Sequence, residues 1–108
     1  MNTYTSFEKL ENLINSSNVT ICFFSSKRYW GSEDLLRKVD KLLNPLNKLE
    51  KVHIDLDNNP EIAANFSVFI APTIIVFTYG KESIRESKFI SIDELYSKIE
   101  RYYSMIFQ

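Results

Sequence analysis

Apolar residues recur along this chain with two different spacings, and stretches of the two kinds alternate. Apolar positions three or four residues apart predict four amphipathic helices, which begin near residues 7, 33, 60 and 92. Shorter runs rich in β-branched and aromatic residues predict strands over residues 19–24, 52–56, 73–79 and 83–89. The predicted order is therefore α-β-α-β-α-β-β-α, with no repeat and no linker.

Local signals mark where three of the helices begin. Thr5 with Glu8, and Ser91 with Glu94, place a hydroxyl residue three positions before a glutamate, which is the spacing of a capping box. Pro60 suits the first position of a helix, because its missing N–H would have no intrahelical partner there. The first, third and fourth helices are thus predicted to begin next to these residues.

The connections between the predicted strands define the class of fold. Strands separated by helices require crossover connections and parallel pairing, whereas a short turn at Gly80 joins the last two strands as an antiparallel hairpin. We expect a single α/β domain over residues 1–108. Its central sheet is expected to be mixed, with about four strands and helices on both faces.

Residues 55–82 carry a series of short motifs in a fixed order. They are Asp55-Leu56-Asp57, Asn59-Pro60-Glu61-Ile62-Ala63, Phe66-Ser67-Val68, Ala71-Pro72-Thr73, Ile74-Ile75-Val76-Phe77 and Gly80-Lys81. The series resembles the thioredoxin family, and the resemblance extends over nearly the whole chain. It is specific, because several unrelated residue types coincide at the family's spacing. The resemblance implies a thioredoxin-like fold.

The resemblance also implies a peptide-binding loop around Pro72. In the thioredoxin family this proline follows a cis peptide bond, and the backbone before it pairs with an extended peptide. Ala71, Pro72 and Thr73 would then bind a segment of another protein. In binding of this kind, main-chain hydrogen bonds supply affinity and side-chain pockets supply specificity.

The chain departs from the family at the redox motif, C-x-x-C, which opens the helix after the first long strand. Counting from Phe24 without a gap places Tyr29-Trp30-Gly31-Ser32 at the motif, and matching glycine to glycine places Trp30-Gly31-Ser32-Glu33 there. Neither window contains a cysteine. Thiol–disulfide exchange requires an attacking thiolate, so we expect no enzyme activity of the family's kind at these positions.

Cys22 is the only cysteine, which rules out an internal disulfide and a cysteine-rich metal site. It lies within the apolar run 19–24, which predicts a buried core side chain rather than a reactive thiol. The family's buried acid in this strand aligns with Phe23. The alternative hypothesis is a thioredoxin-family oxidoreductase in cell redox homeostasis that works through Cys22 or a partner's thiol.

Tyr29 and Trp30 carry the strongest binding signal outside the proline loop. Tyrosine and tryptophan are enriched at binding hot spots, which favours a recognition surface at these two positions. The alternative is that the two side chains fill the space left by the lost motif and pack on Pro72. The sequence favours a redox-inactive binding module that uses both residues and the proline loop. A third hypothesis is a structural homodimer that pairs through the apolar tail, residues 102–107.

Charge and targeting signals narrow the partners further. The chain has 13 Lys and Arg residues and 14 Asp and Glu residues, so its net charge is −1. This balance argues against a protein that binds nucleic acid or an anionic membrane mainly through charge. His53 has no second His or Cys nearby in the sequence, so we expect neither a metal site nor a cofactor. Without a signal or a membrane-spanning run, a cytoplasmic location is expected.

Overall fold

A computed structural model describes all residues from Met1 to Gln108. Five strands form one sheet, and four helices cover it. In chain order the elements are β1 (Asn2–Thr3), α1 (Phe7–Ser16), β2 (Val19–Ser25), α2 (Ser32–Leu43), β3 (Glu50–Asp55), α3 (Pro60–Asn65), β4 (Thr73–Thr78), β5 (Lys81–Ser87) and α4 (Ile92–Ile106).

The sheet is mixed, as the sequence predicts, and its strand order is β1-β3-β2-β4-β5. β1, β3 and β2 run parallel, while β4 pairs antiparallel with both β2 and β5. β1 is missing from the predicted order. It consists of two exposed residues that pair with Val52 and His53, and two residues are too few to show any apolar pattern.

Each face of the sheet carries its own apolar core. Ile21 and Phe23 of β2 pack in one core with residues of α2 and α4. Cys22 and Phe24 pack in the other core with residues of α1 and α3. Every residue of β2 is buried, because helices cover both sides of this central strand.

The structure confirms one predicted cap and corrects another. The Ser91 hydroxyl accepts a hydrogen bond of 3.4 Å from the Glu94 N–H at the start of α4. At α1 the cap is Ser6, whose hydroxyl accepts from the Lys9 N–H at 3.3 Å, so the prediction of Thr5 is wrong by one residue. Ser6 directly precedes the helix, which leaves its hydroxyl within reach of the free amide.

The strand register brings three loops to one edge of the sheet. Phe24 in β2 pairs with Thr73 in β4, and Thr73 pairs with Ser87 in β5. The end of β2, the start of β4 and the end of β5 therefore lie side by side. The loops 26–31, 66–72 and 88–91 meet there. None of the helices has the length and apolar character needed to cross a membrane.

Candidate functional site

The loop that follows β2 is held against the end of β3 by one carboxylate. The Ser26 hydroxyl donates to Asp57 Oδ1 at 2.7 Å, and the Lys27 backbone N–H donates to Asp57 Oδ2 at 3.1 Å. Arg28 Nε lies 3.7 Å from the same carboxylate, but its side chain is largely exposed, so this ion pair adds little. The two charge-assisted hydrogen bonds define the path of the loop.

These bonds lower the pKa of Asp57. The hydrogen bond from Ser26 is the largest cause, and the Lys27 amide and the charges of Arg28 and Lys27 act in the same direction. Each of these groups stabilises the ionised carboxylate over the neutral acid. Asp57 is therefore a fixed anion at neutral pH, and it holds the loop in one conformation.

The loop joins α2 through Gly31 and Ser32. Gly31 adopts φ 82°, a left-handed conformation that strains residues with a side chain. Ser32 is buried, and its hydroxyl donates to the Ser26 carbonyl at 2.8 Å. Ser32 thus ties the loop to the helix and does not face solvent, whichever of the two alignments of the redox motif is used.

Tyr29 and Trp30 lie at the tip of this loop and face outward. The exposed fraction of Trp30 is 100%, and that of Tyr29 is 41%. Trp30 is thus not packed on Pro72, which removes the space-filling alternative for this residue. A fully exposed tryptophan is a large apolar surface left without a partner.

The loop before β4 carries the predicted peptide-binding residues. The peptide bond between Ala71 and Pro72 is cis. Thr73 is buried and its hydroxyl donates to the Ile70 carbonyl at 2.7 Å, while Pro72 is half-buried. The side chains of Ala71 and Thr73 are therefore turned inward, and only Pro72 presents part of its ring.

Ala71 also has unpaired backbone groups. Its N–H and C=O form no hydrogen bond with another part of the chain, although the residue is only 4% exposed. The Pro72 carbonyl, by contrast, accepts from the Lys88 N–H at 3.1 Å. Buried backbone groups are nearly always paired, so the free donor and acceptor of Ala71 mark a place where an added strand can bind.

Two further exposed aromatic residues surround this loop, and sequence reasoning missed both. Phe69 is 76% exposed, and Phe89 is 97% exposed. The sequence pattern places Phe89 in the strand 83–89, but β5 ends at Ser87 and leaves Phe89 in the loop. The exposed side chains of Tyr29, Trp30, Phe69 and Phe89 form what we call the aromatic rim.

A groove lies beside the rim, between the loop after β2 and α3. Its volume is about 310 Å³, and its walls are mainly apolar, with Tyr29, Leu56, Val68 and Phe69 among them. Asp57 lines the polar side of the groove. A cavity of this size and character accommodates one or two side chains of a bound peptide.

Comparisons with known proteins agree with this geometry. No family model matches the chain. It is 27% identical over 100 residues to the thioredoxin-like protein YdfQ of Bacillus subtilis, covering 93% of this chain and 89% of that protein. It is also similar to the thiol:disulfide interchange protein DsbD of Campylobacter jejuni, with 41% identity over 66 residues, or 59% of this chain but 11% of DsbD.

Solved structures extend the similarity to the whole fold. Fasciola hepatica thioredoxin is 28% identical and superimposes with a TM-score of 0.83, over 94% of this chain and 99% of that one. A point mutant of Halobacterium salinarum thioredoxin is 22% identical, with a TM-score of 0.81, 94% coverage of this chain and 89% of that one. The chain has a thioredoxin-like fold.

The chain has this fold without a C-x-x-C pair, since it contains a single cysteine. Cys22 sits in the middle of β2, paired with Val52 and Ile75, and it is fully buried as the sequence predicts. Burial raises the pKa of its thiol to about 12. Almost no thiolate is present at neutral pH, so Cys22 is a poor nucleophile in the native state.

The apolar tail, residues 102–107, is mostly packed against the chain's own core. Tyr102, Tyr103, Ile106 and Phe107 are half-buried against the core on the α2 and α4 side. The rings of Tyr103 and Phe107 lie 4.8 Å apart, and Met105 is exposed. The structure groups no three His, Cys, Asp or Glu side chains in a way that would hold a metal ion.

Proposed function

We propose that this thioredoxin-like protein is a redox-inactive module that binds an extended segment of another protein. The segment adds to the chain at Ala71, next to Pro72, and its apolar side chains contact the aromatic rim. The observation that carries this proposal is the unpaired backbone of Ala71 beside four exposed aromatic side chains.

The backbone of Ala71 supplies the directional part of the binding. Its free N–H and C=O suit a strand that runs alongside the proline loop, and each new hydrogen bond satisfies a group that is otherwise buried and unpaired. Strand addition of this kind depends little on the sequence of the peptide, because it uses main-chain atoms. It therefore requires a second element that selects the partner.

The aromatic rim supplies that selection. Tyr29 and Phe69 of the rim line the groove. Exposed apolar patches are typical of interaction sites, and tryptophan and tyrosine dominate binding hot spots. Ser26 and Asp57 hold the loop that carries Tyr29 and Trp30, so little ordering entropy is lost when a partner binds. A partner segment with one or two large apolar side chains fits the groove of about 310 Å³.

Peptide selection tests the proposal directly. The protein is used to select binders from a library of short random peptides, and their affinities are measured by calorimetry. We expect Trp30→Ala to raise Kd about 30-fold, since a hot-spot aromatic contributes about 2 kcal/mol. Phe69→Ala is expected to weaken binding in the same direction.

The matched control is Tyr79→Ala. Tyr79 is also an exposed aromatic residue, but it follows β4 at the opposite edge of the sheet. This variant is expected to bind the selected peptides normally. Equal loss of affinity in Tyr79→Ala and Trp30→Ala, or no loss in either, would overturn the proposed site.

Amide hydrogen exchange tests the strand addition separately. If a selected peptide pairs with Ala71, exchange of the Ala71 amide slows on binding, while exchange within β5 stays unchanged. Unchanged exchange at Ala71, with tight binding retained, would place the peptide elsewhere on the rim and refute the strand-addition part of the proposal.

A thiol–disulfide function is the second candidate, and the names of the similar DsbD proteins favour it. The fully buried position of Cys22 and its raised pKa speak against it. Insulin reduction coupled to a reductase, compared with Cys22→Ala, separates the two functions. Turnover that depends on Cys22 would replace the binding proposal with an enzymatic one.

The homodimer hypothesis has a test of its own. Light scattering on the full chain and on a version truncated after Tyr103 compares their oligomeric states, and an unchanged state would exclude the tail as a contact surface. The cytoplasmic location, and the absence of nucleic-acid, membrane and cofactor partners, stay predictions.

A further inference from the structure

A second cavity, of about 360 Å³, is lined by none of the four residues of the aromatic rim. It opens on the α2 side of the sheet, and its walls include Thr3, Ser25, Glu33, Arg37 and His53. It shares no residue with the groove beside the rim. Neither the proposed binding function nor the thiol alternative uses this cavity.

Two residues from neighbouring strands meet at its wall. Ser25 ends β2, and its hydroxyl oxygen lies 2.6 Å from His53 Nε2 in β3. His53 pairs with Phe23, two residues before Ser25, so Phe23 and Ser25 share the α2 face with the imidazole. Ser25 is only 2% exposed, and it contributes to the wall of the cavity.

This arrangement has the geometry of an activated nucleophile. In the tautomer of His53 that leaves Nε2 unprotonated, the Ser25 hydroxyl donates to the ring, which is then a base in place to accept its proton. The contact of 2.6 Å lies within the range of such pairs. Glu33 and Arg37 of α2 line the same cavity, and the Arg37 guanidinium donates to Asp34 Oδ1 at 3.1 Å.

We propose that Ser25 and His53 form a nucleophilic dyad that accepts small acyl groups from activated esters. His53 Nε2 takes the proton of the Ser25 hydroxyl as Oγ bonds to the acyl carbon. The bond from that carbon to the leaving oxygen then breaks, and the leaving oxygen receives the proton from the imidazolium. Water, activated by the same imidazole, attacks the acyl-serine, which releases the carboxylic acid and restores Ser25.

The structure also indicates how fast this reaction is expected to be. The side chain of His53 forms no hydrogen bond through Nδ1, so no carboxylate orients the ring or stabilises the imidazolium. Serine hydrolases gain several orders of magnitude from such a group. We therefore expect acylation of Ser25 to exceed the background reaction, with slow turnover. The cavity of about 360 Å³ restricts the substrates to short acyl groups.

A fluorophosphonate probe tests the proposal on the intact protein. Ser25 Oγ attacks the phosphorus, fluoride leaves, and intact-mass measurement follows the adduct over time. We expect the adduct to map to Ser25 by peptide sequencing, and Ser25→Ala to abolish it. His53→Gln is expected to slow labelling at least tenfold, because a positioned base contributes about 10²–10⁴-fold.

Ser16→Ala is the matched control, since Ser16 is an exposed serine of α1 that does not line this cavity. It is expected to label at the rate of the unmodified protein. Circular dichroism melting reports whether Ser25→Ala folds, and the mapping and His53→Gln decide the question if it does not. The proposal would be overturned by an adduct on an exposed tyrosine or by the absence of any adduct. It would also be overturned if His53→Gln were labelled at the same rate as the unmodified protein.

Discussion

The Ser26 hydroxyl and the Asp57 carboxylate are joined by a hydrogen bond of 2.7 Å. The bond connects the loop after β2 to the residues that follow β3, and it therefore holds Tyr29 and Trp30 in position. We expect Asp57→Ala to free the loop while the sheet stays intact. Faster exchange of the Lys27 amide, whose acceptor is lost, would report the change. Asp34→Ala, on the exposed side of α2, is expected to leave this exchange rate unaltered.

The pH dependence of the loop follows from the same carboxylate. The pKa of Asp57 is lowered in the folded protein, mainly by the hydrogen bond from Ser26. Its stabilisation is therefore complete above the unfolded pKa, which is about 4, and is lost as the pH falls through the lower folded value. Fluorescence anisotropy of Trp30, the sole tryptophan, is expected to fall in that acid range as the loop becomes mobile.

Asp57→Asn supplies the reference for this titration. Glu82 also has a lowered pKa, chiefly because Arg85 donates to it, so part of any acid transition belongs to that pair. The Asp57→Asn variant retains the Glu82 contribution and lacks that of Asp57. Superimposable acid titrations of the two proteins would contradict the role assigned to Asp57.

Cys22 is expected to be inert while the protein is folded. Its thiol is fully buried and its pKa is raised to about 12, so an alkylating reagent such as iodoacetamide reacts only when the chain unfolds. Mass spectrometry in native buffer and in denaturant measures the difference. Ser104→Cys in the Cys22→Ala background provides an exposed thiol as a control, and it is expected to react promptly. Rapid native alkylation of Cys22 would contradict the packing described for β2.

Aromatic residues of the core and of the rim are expected to respond differently to truncation. Phe24 is fully buried against Phe66, with ring centroids 6.2 Å apart, so Phe24→Ala removes a core side chain and leaves a cavity. We expect it to cost about 3–5 kcal/mol of the free energy of unfolding. Phe89→Ala removes a side chain that is 97% exposed, and its effect is expected to stay within about 0.5 kcal/mol. Urea denaturation monitored by circular dichroism checks both values.

Measurements on Phe89→Ala therefore distinguish an effect on peptide binding from an effect on stability. If Phe89 belongs to the partner surface, Phe89→Ala weakens peptide binding at almost unchanged stability. A variant that loses stability and binding in proportion would instead show that Phe89 supports the fold.

Local signals predicted most of the elements, because they depend on neighbours in the sequence. Pro60 opens α3, and Ser91 caps α4, as their spacing indicates. The errors lie where local signals are weak. β1 is too short to show a period, and Thr5 and Ser6 carry nearly the same capping chemistry.

The sequence by itself determined the mixed α/β fold and the buried position of the single cysteine. It did so because periodicity and residue type act over a few neighbouring positions. Tertiary structure alone decided which aromatic side chains are exposed around Ala71, and it brought Ser25 to His53 across 28 positions of the chain. Those relationships depend on the register of β2 against β3 and on where the loops meet, and neither leaves a periodic trace in the sequence.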